Sequence, residues 1–203
     1  MSASWWVEVD GVVLPKQLAG HPALELCNTR AGWRSAPDPR GEYLRSYDAL
    51  ALVAQTSGAL PEDVVNDARA AGLHRPAAAA REVDRARAIR ADLYAIWTGS
   101  ASKTARGRVA SGIAAARARQ RLVIDGDSAT WEFGTPGVAD PLDALLVASG
   151  ELLADSGRAP VVACPGIDCG WLFLNTSRRR RWCQMAVCGN RAKQAAFSRR
   201  AHS

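Results

Sequence analysis

From Ser46 to Arg119 the apolar residues recur at steps of three and four, the spacing that gathers them on one face of an α-helix. Tyr47–Thr56 is rich in Ala and Leu, with Ser46 placed to cap its start and Gly58 to end it. Pro61–Ala71 carries Pro at its first turn and Glu62 and Asp63 near the positive end of the helix dipole, and is expected to stop at Gly72. Pro76–Thr98 is the longest helix predicted, with Val83, Ala86, Ile89/Arg90, Leu93 and Ile96/Trp97 forming one stripe. Lys103–Arg119 continues as a basic, Ala-rich helix despite Gly107 and Gly112, and its charges read as a solvated face. A further helix is expected over Pro141–Asp155, where Leu142, Leu145, Leu146, Leu152 and Leu153 cluster and Asp140 stands as N-cap.

Two stretches switch to period two. Trp5–Leu14 alternates around Asp10-Gly11, and Arg121–Phe133 around Asp125-Gly126-Asp127, so each predicts a β-hairpin. Pro15 to Arg40 reads as loop around a short helix near Pro22–Thr29. Ser156 to Pro160 is the natural boundary. The fold class is therefore mainly α with small β-hairpins: a helical domain over 1–157 and a separate module over 158–203.

Composition adds two constraints. With 203 residues, 48% of them hydrophobic, the chain can bury a core and needs no disordered fraction. The charge is one-sided: residues 158–203 hold nine Lys and Arg against a single acid, Asp168, while the rest of the chain is slightly acidic. Such a field attracts polyanions, of which nucleic acid is the commonest. No basic-then-apolar leader opens the chain and no apolar run reaches membrane-spanning length, so a cytoplasmic location with no membrane partner is expected. Phosphate loops, His–Glu metal pairs and nucleophile elbows are absent, and His21, His74 and His202 are far apart. They read as surface or capping residues, and no enzyme activity is expected.

Four of the five cysteines form Cys164-x4-Cys169-x13-Cys183-x4-Cys188. Two close pairs around a short excursion can surround one ion, and four thiolates suit a tetrahedral Zn²⁺ with no position left for water. One structural zinc ion is the reading; two disulfides or an iron–sulfur cluster are the alternatives. Cys27, between apolar neighbours, reads as a small buried hydrophobe. Val161-Val162-Ala163 and Trp171-Leu172-Phe173-Leu174 read as the strands of a hairpin whose tip holds the first pair. The second pair leads into a helix over Ala192–Arg200, so the module is treble-clef-like. A unit this small needs its metal to fold.

Cys164-Pro165, Cys169-Gly170-Trp171-Leu172-Phe173, Ser177-Arg178, Arg181-Trp182-Cys183-x-Met185 and Cys188-Gly189-Asn190-Arg191-x-Lys193 together resemble the CGNR zinc-finger family over about Cys164–Phe197. Leu24-Glu25-Leu26-Cys27-Asn28-Thr29 resembles the start of the ABATE domain, whose members are described as candidate stress-induced transcription regulators. Asn175 departs from the acidic residue expected there. The resemblance implies a DNA-binding transcription regulator in the stress response, with the finger as reader.

The residues point the same way. Arg178, Arg179, Arg180, Arg181, Arg191, Lys193, Arg199 and Arg200 can neutralise phosphates, and Asn190, Arg191 and Gln194 near the helix start can reach base edges. Against this, the Arg run can be a solubilising surface, Asn190 and Arg191 can be caps or thiolate partners, and Trp171 and Trp182 read as packing around the metal. DNA is the expected partner, with RNA or protein association as the alternative and, behind it, an enzyme whose site lies in the helical domain. The helical domain is left as a sensor of a small-molecule effector or as a homodimerisation unit.

Overall fold

The computed structural model describes residues 4–201. Strands β1 (Trp6–Val9) and β2 (Val12–Pro15) pair antiparallel across Asp10 and Gly11, both left-handed at φ 50° and 74°, as a two-residue hairpin turn needs. Helix α1 (Pro22–Asn28) follows, started by His21, whose Nδ1 accepts the Ala23 N–H. Then come α2 (Tyr47–Thr56), α3 (Glu62–His74), α4 (Pro76–Trp97) and α5 (Lys103–Ala118). The hairpin of β3 (Gln120–Asp125) and β4 (Ser128–Phe133) leads to α6 (Asp140–Ala154). Beyond it lie β5 (Val161–Ala163), β6 (Leu172–Leu174), one π-helical turn (Met185–Gly189) and α7 (Asn190–Ala201).

The helices were expected close to where they stand, and two details differ. Helix α3 runs through Gly72 because that residue is packed on Tyr47: a Cβ there would lie 2.7 Å from the ring. Glycine serves a close approach between α2 and α3, not a stop. Asp140 is the first residue of α6 rather than its cap; its carboxylate accepts the Gly137 N–H and pairs with Arg119, which also pairs with the buried Asp143.

One core unites the body. Leu24, Leu26, Leu50, Leu52, Leu93, Leu142, Leu145 and Leu146 are fully buried, and the predicted α4 stripe of Val83, Ala86, Ile89 and Leu93 faces it. Leu172 of β6 belongs to this same core. No helix among the described residues is long and apolar enough to cross a membrane.

Candidate metal centre and basic surface

The β5–β6 ladder sets Ala163 opposite Leu172, and Cys164 continues it by donating its N–H to Trp171 O at 2.8 Å. The chain then turns through Pro165–Asp168, with Cys169 N–H donating to Gly166 O and with Asp168 and Gly170 left-handed. Gly166 is required by proximity. A Cβ on it would sit 3.0 Å from Cys188 Sγ and 3.3 Å from Cys169 Cβ.

The second pair is set by the π-turn. The N–H groups of Val187, Cys188 and Gly189 all converge on Gln184 O, a widened turn that pulls Cys188 back toward Cys183. A Cβ on Gly189 would overlap Met185 Sδ and lie 3.1 Å from Trp182 Cδ1, so any larger residue would have to displace the Met185 side chain. Helix α7 starts immediately after, and Asn190 Nδ2 donates back to Ala186 O at 3.1 Å.

All four sulfurs lie within 4.8 Å of one another, with Cys169 and Cys188 each 3.6 Å from Cys183. Four thiolates at about 2.3 Å from a tetrahedral ion stand about 3.8 Å apart, so the cavity fits one Zn²⁺ closed to solvent. All four cysteines are unbridged, which removes the disulfide alternative. Charge inside the cluster also favours a cation. Hydrogen bonds from the Cys169, Cys183 and Cys188 thiols hold Cys164 far below the ordinary thiol range, while pairing with Cys164 pushes Cys169 and Cys183 up. A dication removes that competition by taking all four as thiolates. The Cys183 N–H donates to Cys164 Sγ at 3.4 Å and so stabilises its negative charge. Cys27 is fully buried outside the cluster, its thiol pushed up to about 12 by burial.

The metal module is fastened to the body by contacts that the sequence does not announce. Asn28 of α1 pairs with the edge of β6 like a strand residue: Nδ2 donates to Leu172 O and Oδ1 accepts the Leu172 N–H, at 2.9 and 2.8 Å. Trp171 Nε1 donates to Arg30 O, Tyr94 Oη donates to Gly170 O, and Trp33 N–H donates to Cys169 O. The Trp33 and Tyr94 rings stack at 3.8 Å. These contacts join residues more than 60 positions apart and have no periodic signature. Only the short motif around Asn28 could have pointed to them.

The eight predicted phosphate ligands separate into two kinds. Arg180 is held by the fold: its guanidinium donates to the carbonyls of Leu18, Trp182 and Cys183 and lies 4.3 Å from the Phe173 ring. Arg178, Arg179, Arg181, Arg191, Lys193, Arg199 and Arg200 are exposed. Among the described residues no carboxylate pairs with Arg178, Arg179, Arg181, Arg191 or Lys193, whereas Arg69, Arg85, Arg87, Arg90, Arg108, Arg117 and Arg119 of the body each meet one. Arg181 lies over Trp182 and Arg191 over Trp5. Asn175 shapes the Arg loop, its Oδ1 accepting the Arg180 N–H and its Nδ2 donating to Arg180 O. An aspartate could accept but not donate. Arg181, Arg191, Lys193 and Arg199 line a groove of about 470 Å³ between Pro165–Ile167 and α7. Trp171 is buried and Trp182 half-buried, so both pack around the sulfurs.

Compared with curated proteins, the chain matches none. Residues 161–201 match the CGNR zinc finger, and residues 20–159 match the ABATE family, described as "Putative stress-induced transcription regulator". The ABATE match spans most of the chain, and its first residues include the motif that clasps the metal module. The chain belongs to the ABATE family, with a CGNR zinc finger at its C-terminal end.

Proposed function

We propose that the protein is a cytoplasmic, non-enzymatic regulator of transcription that binds duplex DNA through its zinc module. The observation that carries this reading is the run of exposed cations without carboxylate partners around a centre held rigid by four thiolates. Cations already paired within a fold have little to gain from phosphate. Unpaired ones release counterions from DNA when they engage it. Zinc would act by folding: it holds the π-turn against the knuckle, the turn from Cys164 to Cys169, and so fixes where Arg181, Arg191 and Lys193 point.

The body offers a place for a controlling small molecule in a cleft of about 640 Å³ beneath β3–β4. Leu60, Ala144 and Val147 line it, with Trp131, His21 and Glu151. Its size suits a small-molecule ligand.

Titration of labelled duplex DNA, RNA and single strands at several salt concentrations tests the reading. With six of the exposed cations engaged, the logarithm of duplex affinity should fall with log salt at a slope of about −5. RNA bound tenfold more tightly than duplex DNA would overturn the transcriptional assignment in favour of RNA association.

A further inference from the structure

Helix α7 has two faces of different character. Ala192, Ala195 and Ala196 are half-buried on the groove beside Pro165–Ile167. Opposite them, Asn190, Gln194 and Phe197 stand at i, i+4 and i+7, one stripe of the helix. All three are exposed, and Phe197 keeps 75% of its surface in solvent, an unusual place for a phenylalanine on a helix that has a metal centre to pack against. The Gln194 amide makes no hydrogen bond among the described residues, and Asn190 spends one N–H on Ala186 O and keeps its Oδ1 and second N–H. Lys193 and Arg200 flank the stripe on one side and Arg191 on the other.

Resting on the DNA-binding reading above, we propose that α7 is the recognition helix and that it selects A·T pairs in the major groove. The groove is about 12 Å wide and accepts one α-helix, while the flanking cations meet the phosphates on either rim. Carboxamides match adenine, which offers N7 as acceptor and N6–H as donor to one planar group. Phe197 matches the thymine methyl, the one apolar feature of the major-groove edges. A guanine-reading helix would instead aim arginine along its central stripe. Here the arginines stand at the margins.

The test uses the full-length zinc-loaded chain. Duplexes retained from a random pool should be enriched in adjacent A·T pairs. On the selected duplex, Gln194→Ala should lower affinity about tenfold. Replacing thymine by deoxyuridine should cost the native protein about fourfold, the worth of one buried methyl, and cost Phe197→Ala nothing further. Both positions are exposed, so both variants should keep their zinc and helicity. No duplex binding at all would remove the DNA-binding reading itself. Salt-dependent duplex binding without enrichment, or enrichment in G·C, would leave that reading standing and overturn the proposal for α7. So would an equal methyl effect in native and Phe197→Ala protein.

Discussion

Glu25 is an acid buried where no cation touches it. Its Oε1 accepts the Ala19 and Gly20 N–H groups at 2.6 and 3.3 Å, and its Oε2 has no partner. Loss of water pushes its pKa up to about 7, against the opposing pull of those N–H bonds and of Arg180 nearby. The folded state thus keeps a proton that the unfolded chain releases near 4.5. This group's contribution to stability is complete below about 4.5 and is lost as pH rises through about 7, an effect of order 3 kcal/mol. The stability difference between native protein and Glu25→Gln, from urea unfolding at pH 5 to 8, should therefore shift by about that amount in favour of the variant as pH rises. A difference that is flat across this window would show that Glu25 is already ionised in the fold. Taking the difference cancels the pH dependence of the thiols, which both proteins share.

At the scale of elements, the helices were legible because their signals are local. Ser46 accepts the Ala49 N–H as the cap its position predicts, and the α4 stripe falls on the core. The hairpins were legible for the same reason, since the turns at Asp10-Gly11 and Gly126-Asp127 are each fixed within their own four residues. The cysteine spacing likewise carried the metal centre, because each ligand pair is closed by the turn between its members. Gly72 misled because a glycine needed for contact with Tyr47 looks in sequence like one that ends a helix. Arg180 was equally opaque: its guanidinium bridges the nearby carbonyls of Trp182 and Cys183 to Leu18, 162 residues away, and a run of four arginines does not say which one turns inward. Asn28 is the sharpest case, an α1 side chain completing the edge of β6 from 144 residues away. Asn28→Ala would leave the Leu172 N–H and C=O buried and unpaired, at a cost of about 2–4 kcal/mol. Chemical unfolding should show that loss, and zinc release to a chelator should quicken, because β6 leads directly from the metal knuckle.

For the whole molecule, the question is how far the metal's influence extends. Size and charge alone make residues 158–203 an autonomous unit that collapses without zinc. The packing divides that segment differently. Leu172 lies in the body's core, Trp171 and Gly170 are bonded to Arg30 and Tyr94, and Asn28 pairs with β6 through contacts that involve no metal ligand's sulfur. The π-turn and α7 are tied down instead by the sulfurs, by Arg180 and by the contact of Arg191 with Trp5. Losing one ligand should therefore release the second half of the module and spare the first. In Cys183→Ser, hydrogen exchange should become fast for amides of 184–201 while the Cys164 and Leu172 amides, donating to Trp171 O and Asn28 Oδ1, stay protected. Uniform loss of protection from 161 onward would mean that zinc, not the clasp from α1, holds the hairpin in place.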